Sequence, residues 1–498
     1  MSRKVVLFYP PYDGPPLGAP LCLLSLAGTL LEAGFDVRVL DAAVVPRCFD
    51  VLARELKDAL CLGISLLTGP MIRGALRAAA LARSSRPDLP VIFGGWHPSL
   101  VPEQTLQNPL VDIVVRGQGE STLLEVAERL ASGGNARGVR GTSFREGEHS
   151  IHEVERPPDN LNRLPTPAYH LADYDAYARR CGVHQLSYAT SVGCPYACHY
   201  CTDQVFYKRR FNAYTAERVS QEVPELVERY RIEEVALLDS NFPVDVRRAV
   251  AIARGFAASG VRFRWTFQAS TDFLCRMSEA DVALMAASGL THMGFGTESA
   301  SPEVLALMNK KHQRIDEMYE TAHKAELGGI HVTFNLIFGY PGETEADRIA
   351  TLRIMGDIAR RYGNVSFSPN LFTPYPGIPI WPQLKQLGVV EPQSLEEWAD
   401  LPLGRNVLPW LRGKELQRLE LMLKFFLLNN QIRKATKGMP VLRRGVRRML
   451  GAPLRWRLRR NFFRVPWELA VARAAEKVVM RRSLVTGIPL REDMSEAC

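Results

Sequence analysis

Short apolar runs alternate with stretches of helical periodicity twice along this chain, and no other feature narrows its fold as far. In the first block, Val5-Val6-Leu7-Phe8 ends at Pro10-Pro11, and a helical stretch over 21–33 stops at Gly34. Val37–Leu40, Cys61–Ser65, Val91–Phe93 and Ile113–Val115 follow as strands, with helical stretches near 70–85 and 120–132. Strands separated by helices pair in parallel, so this block predicts a doubly wound sheet. Ligands of such sheets sit beyond the carboxyl ends of the strands. The loops at that end are Ser65-Leu66-Leu67-Thr68, Gly94-Gly95-Trp96-His97-Pro98 and Gly117-Gln118-Gly119-Glu120. They are small or glycine-rich, which lets backbone approach a ligand closely. Gly117-x-Gly119 is followed by Thr122, so the dinucleotide fingerprint G-x-G-x-x-G is missing.

The second block begins near residue 185. Its strands are Leu186–Thr190, Val235–Leu238, Arg264–Phe267, His292–Phe295, Val332–Ile337 and Val365–Ser368, separated by helical stretches such as 216–230, 246–258, 279–288 and 316–327. Six βα units suit a partial barrel, with its chemistry at the carboxyl ends of the strands. With 498 residues the chain exceeds one core. The expected division is a doubly wound domain over 1–133, a glycine- and proline-containing linker over 134–180, a partial barrel over 181–400, and a basic helical region over 401–498. Residues 405–482 hold 21 Lys and Arg against 4 Asp and Glu, a balance of +17, which leaves −8 for the rest of a chain of net charge +9.

Cys194, Cys198 and Cys201 fall within eight residues, directly after the first strand of the second block. The other six cysteines are scattered and the total of nine is odd, so a disulfide framework is not expected and a reducing compartment is. Three thiolates spaced C-x3-C-x2-C fill three corners of a four-iron cubane and leave one iron open to a substrate or cofactor. The competing assignment is structural zinc, which takes four protein ligands, usually as two separated pairs. No second pair follows here, and His199, between two of the cysteines, is awkwardly placed as a fourth ligand.

Cys194-Pro-Tyr-Ala-Cys198-His-Tyr200-Cys201, after the first strand of a partial barrel, resembles the radical S-adenosylmethionine (SAM) enzymes. The resemblance implies a [4Fe-4S] cluster on the three cysteines, whose open iron chelates SAM and whose electron cleaves it to a 5′-deoxyadenosyl radical. It sets Tyr200 near the adenine. Asp239-Ser-Asn-Phe242, Gly294-Phe-Gly-Thr-Glu298-Ser and Gly339-Tyr-Pro-Gly342-Glu343-Thr344 are similar to downstream segments of that family. Asp239 and Glu298 are therefore candidates to touch SAM, with satisfied caps or polar loop residues as the alternative. Gly339 and Gly342 belong to the same cofactor-binding set, chiefly as shapers of the backbone.

The first domain resembles the cobalamin-binding domains that precede the barrel in one large radical SAM group. On that resemblance Ser65, Thr68, Gly94, Gly95, His97, Gly117, Gly119 and Glu120 are the candidate cobalamin contacts. The alternative is a Rossmann-like domain used only for packing. None of the ten histidines has an Asp two positions earlier, so the Asp-x-His-x-x-Gly source of a lower cobalt ligand is absent. The whole predicts an α/β protein, a doubly wound Rossmann-like cobalamin-binding domain followed by a partial (β/α)6 radical SAM barrel and a helical C-terminal region. The implied activity is cobalamin-dependent C-methylation of an unactivated carbon. Radical cyclisation or oxidation, as in the anaerobic porphyrin cyclase group, is the alternative within enzymes, and a non-catalytic cluster- and cobalamin-binding protein the alternative outside them.

Expected partners are a small-molecule or lipid substrate and an electron donor such as flavodoxin or ferredoxin. The Arg-rich segments of 433–482, interleaved with Trp456, Phe462, Phe463 and Trp467, suggest peripheral contact with an anionic membrane; a solvated helical surface is the plainer explanation. Nucleic acid is not expected. The tRNA-acting methylthiotransferases carry three further cysteines ahead of the barrel, and Cys22, Cys48 and Cys61 match them only loosely in order. With no secretory signal or membrane span visible, a cytoplasmic, at most membrane-associated, protein is expected.

Overall fold

The structure, a computed structural model, describes residues 2–11, 18–147, 149–401, 408–433 and, within 449–471, all but 455, 458, 459 and 461. Five apolar runs become the parallel strands β1 (Lys4–Tyr9), β2 (Asp36–Asp41), β3 (Cys61–Ser65), β4 (Val91–Gly94) and β5 (Ile113–Val115), in the order β2-β1-β3-β4-β5. β3 is buried along its whole length and β1 at its four central residues, as strands covered by helices on both faces must be. The strand order reverses between β1 and β3, which opens a crevice at their carboxyl ends.

The stretch 134–180, expected as a linker, is not one throughout. β6 (Thr142–Glu146) and β7 (His149–His152) form an antiparallel hairpin that extends the sheet beyond β5. Arg116 holds it, its backbone N–H on Gly141 O (2.8 Å) and its guanidinium on Thr142 O (3.0 Å). As an edge hairpin with half-exposed polar residues, it lacks the apolar run that marks a buried strand. The chain then packs back across the first domain. The backbone N–H of Ala168 donates to Leu24 O, the Tyr169 hydroxyl to Ser187 O (3.1 Å) and the Tyr177 hydroxyl to Asp41 (2.5 Å). One hydrophobic core runs through both domains.

In the second block β8 (Gln185–Tyr188), β11 (Glu234–Leu237), β12 (Arg264–Ser270), β13 (Leu290–Glu298), β14 (His331–Phe338) and β15 (Val365–Leu371) pair in parallel in chain order, as an open six-stranded barrel wall. A separate short ladder joins β9 (Ser191–Val192) to β10 (Asn212–Ala213). Along β14, Val332, Phe334, Leu336 and Phe338 are buried, and the alternate residues are half-buried. The period of two thus separates a core face from a polar lumen face. Helix Gly413–Arg433 covers β15, with Phe426 against Phe367 (ring centroids 6.2 Å). Much of the arginine-rich stretch from 434 onward lies outside the described residues. Among the described residues no helix is long and apolar enough to cross a membrane.

Candidate active site

A cavity of about 870 Å³ fills the crevice where β1 and β3 diverge. Ser65, Thr68, Gly94, Gly95, Gly117, Gly119 and Glu120 all line it, on one side. The barrel closes the other side with Tyr188, Ser191, Leu238, Phe206 and Tyr207. Gly95 has φ +91°, and a Cβ there would come within 2.8 Å of Ser65 Oγ and 2.9 Å of Leu66 O, so only glycine lets β3 and β4 end this close together. Leu67 and Leu238 are 46% and 51% exposed, high values for leucines at strand ends, and both face this cavity, one from each domain. Apolar surface left open inside a crevice marks a place for a ligand to cover.

His97 departs from expectation. A short helix, Trp96–Leu100, begins where a loop was expected, and its 100° turn per residue sends Trp96 to the cavity and His97 into the core. His97 is fully buried, with Nδ1 3.0 Å from Thr68 Oγ1 and its ring edge-on to Trp398; Nε2 has no partner. Burial pushes its pKa down to about 3, so the ring is neutral. No histidine lines the cavity among the described residues.

The three cysteines occupy the loop 193–211, closed at its base by the β9–β10 ladder. Gly193, at φ +78°, makes the closure possible, since a Cβ there would lie 2.0 Å from Arg210 O. Neighbouring polar groups clamp the loop: Asn309 Nδ2 donates to Ala197 O (2.8 Å), the backbone N–H of His199 to Met308 O (3.0 Å) and Gln204 Nε2 to Cys198 O. No cysteine is in a disulfide among the described residues. Burial raises all three thiols, Cys201 to about 12, so metal binding must displace their protons. Among the described residues no three such side chains crowd about one point as a single ion requires. A cubane, which takes each thiolate on a different iron, asks for no such convergence.

Glu298 stands behind this loop. It follows a bulge in β13 and has φ +61°. Its Oε1 accepts from the Tyr200 hydroxyl (2.8 Å) and from Lys310 Nζ (3.0 Å), and Lys310 also donates to Gly296 O (2.6 Å). The carboxylate and ammonium are only 8% and 7% exposed. Burial works against the Lys310 charge, but Glu298 and the nearby Cys198 outweigh it and hold the ammonium above its ordinary pKa. Asp239 is likewise buried, and its carboxylate holds the start of the cysteine segment, accepting from the backbone N–H of Thr190 (2.7 Å) and from the hydroxyls of Thr190 (2.6 Å) and Ser191. Gly339 and Gly342 turn the chain after β14 at φ +75° and +87°, and the Gly339 N–H donates to Glu343 (2.6 Å).

Two features carry no signal in the sequence. Lys310 sits 110 residues from Tyr200 in an ordinary Lys-Lys pair. Trp96 reaches across the domain boundary to the residues just after Cys201, its ring 4.4 Å from that of Phe206 and 5.8 Å, edge-on, from that of Tyr207. Cavity and cysteine loop therefore share a wall.

The donors suit the groups implied. Three thiols on one clamped loop fit a site-open cubane in number and type. Asn241 Oδ1 and Asp203 Oδ2, buried without partners beside the cysteines, offer acceptors to an amino group. The largely apolar cavity, with Ser65, Thr68, Gln118 and Glu120 among its polar groups, fits a corrin and its amide side chains.

Residues 3–127 match the B12 binding domain family, and residues 188–355 match the radical SAM superfamily. An uncharacterized methyltransferase of Pyrococcus horikoshii is 30% identical over 395 residues, 76% of this chain and 82% of its own. The anaerobic magnesium-protoporphyrin IX monomethyl ester cyclase of Cereibacter sphaeroides is 23% identical over 413 residues, 81% of this chain and 65% of its own. Among solved structures, the radical SAM methyltransferase TsrM of Kitasatospora setae, with cobalamin and a [4Fe-4S] cluster bound, superposes with a TM-score of 0.67 at 20% identity, covering 78% of this chain and 79% of that one.

Proposed function

The chain belongs to the cobalamin-dependent radical SAM enzymes, a B12-binding domain followed by a radical SAM barrel, and from that premise we propose that it methylates an unactivated carbon of a small molecule held in the barrel lumen. The carrying observation is the shared wall, Trp96 against Phe206 and Tyr207, which joins the cavity of the first domain to the cysteine loop of the barrel.

Cys194, Cys198 and Cys201 would hold the cluster, and the crevice between β1 and β3 the cobalamin. Bound there, the two groups supply the reductive cleavage of SAM, the hydrogen abstraction and the methyl group. The chain's own part is position. Lys310 and Glu298 fix Tyr200, and with it the turn from Cys198 to Cys201. Leu67 and Leu238 offer apolar surface to the bound group from the two sides of the crevice. The lumen face supplies Gln268 and Asn335, whose amides lie 3.4 Å apart, as hydrogen-bonding groups to orient the acceptor. A flavodoxin or ferredoxin would deliver the electron.

The similarity to a cyclase favours one second reading, radical cyclisation with no methyl transferred. Incubation with methyl-deuterated SAM, a reductant and a pool of candidate acceptors separates the two. Label in a carbon-bound methyl, absent with Cys198→Ala, is the expected result. An acceptor that loses hydrogen and gains no label would establish the cyclase instead.

A further inference from the structure

A buried arginine near the C-terminus holds a turn whose outward side chains are apolar. Arg457 is paired with Glu468, both buried, and donates to the carbonyls of Phe462 (3.3 Å), Arg464 (2.5 Å) and Val465 (2.7 Å). Val465 has φ +51°, a conformation that a β-branched residue adopts only under constraint. Inside the turn, Phe463 packs on Phe425. Outside it, Val465 is 73% exposed and Trp456 53%, with Phe462 and Trp467 exposed as well, and the Trp456 and Phe462 rings meet edge-on at 5.7 Å. Water gains nothing from such a surface, yet an ion pair, three hydrogen bonds and a strained valine keep it in place.

The exposed charge beside it points to one kind of occupant. Among the described residues beside the aromatic side chains, Arg460 and Arg464 are exposed, and the sequence over 443–464 holds nine arginines and no acidic residue. Tryptophan and phenylalanine flanked by arginine match the boundary of an anionic bilayer, where rings enter the headgroup zone and guanidinium groups meet lipid phosphates. We infer that the Arg457-centred turn docks the enzyme on an anionic lipid surface.

The test uses the full-length reconstituted protein and sedimentation with phosphatidylcholine vesicles, with and without phosphatidylglycerol, at low and high salt. Binding is expected only with phosphatidylglycerol, and weaker at high salt. The triple variant Trp456→Ser, Val465→Gly, Trp467→Ser should bind about tenfold more weakly or worse, since each apolar side chain adds its own partition energy. Val465→Gly alone should be at least as stable as the parent, because glycine accepts the positive φ, and should still bind less. Iron content unchanged across the variants shows that the barrel has folded. No binding to phosphatidylglycerol vesicles at low salt, or equal binding by the triple variant, overturns the inference. So does a parent dimer that the triple variant dissolves with no change in vesicle binding, which would assign the surface to a second copy.

Discussion

Replacing Lys310 with Met tests how the cysteine loop is supported. The substitution keeps an unbranched side chain one atom shorter and removes the charge. Glu298 would keep its bond from Tyr200 but lose an ammonium 3.0 Å away, in a site where both partners are under 10% exposed, and Gly296 O would lose its donor. Coulomb's law at that distance gives about 5 kcal/mol for an effective dielectric constant of about 20. Removing one partner of a buried pair costs about 3–5 kcal/mol, because the remaining charge is stranded. For a unit the size of the barrel this lowers Tm by about 6–20 °C. Differential scanning fluorimetry reads the shift, and iron and sulfide analysis reads the cluster. Lys310→Met with Glu298→Gln removes the stranded charge and should recover about 2 kcal/mol of the loss, a coupling typical of contacting charged residues. If Lys310→Met melts like the parent, or the double variant is no more stable than the single one, the buried pair does not support the loop.

Three further outcomes follow from the site. The folded-state pKa of His97 lies near 3, below its unfolded value of about 6.5, so neutral His97 contributes stability that is complete above that unfolded value and is lost as pH falls towards 3. Thermal melts should show an acid loss of up to about 1.4 kcal/mol per pH unit in this window, reduced in His97→Asn. Leu67→Lys places a charge against the apolar face of the crevice and should cut cobalamin retention, read by absorbance, about tenfold or more, while stability stays within about 0.5 kcal/mol because the side chain is already half exposed. Asp239→Asn weakens three charge-assisted hydrogen bonds, at a cost of about 2–3 kcal/mol. SAM affinity of the folded fraction, measured by equilibrium dialysis, should stay at the parent's level if Asp239 acts only through Thr190 and Ser191.

The parts of this protein legible in its sequence are those whose physics is local. A strand covered on both faces is apolar along its length, as β3 is, and a barrel strand alternates a buried face with a lumen face, as β14 does, so both kinds stand out as short runs between helical stretches. Three cysteines in eight residues are conspicuous in a chain with few others. What escaped depends on direction or distance. His97 sits among true cavity residues in the chain, and only the helix beginning at Trp96 turns its ring inward. The β6–β7 hairpin, half-exposed at a sheet edge, looks like a polar connector. Lys310 meets Glu298 only after β13 bulges and the chain folds back, and nothing in Asn309-Lys310-Lys311 tells one lysine from the other. Trp96 and Phe206 belong to separate domains, so their contact exists only in the assembled pair.

The proposed methylation requires cluster and cobalamin to act together in one site. Its most direct test is the full-length protein reconstituted anaerobically with iron, sulfide and cobalamin, given SAM and a strong reductant, with 5′-deoxyadenosine and S-adenosylhomocysteine both quantified in the presence of an acceptor pool. Both are expected to form, neither of them with Cys198→Ala, and S-adenosylhomocysteine is expected to fall selectively with Leu67→Lys. Neither product from protein whose cluster and cobalamin are confirmed bound would contradict it.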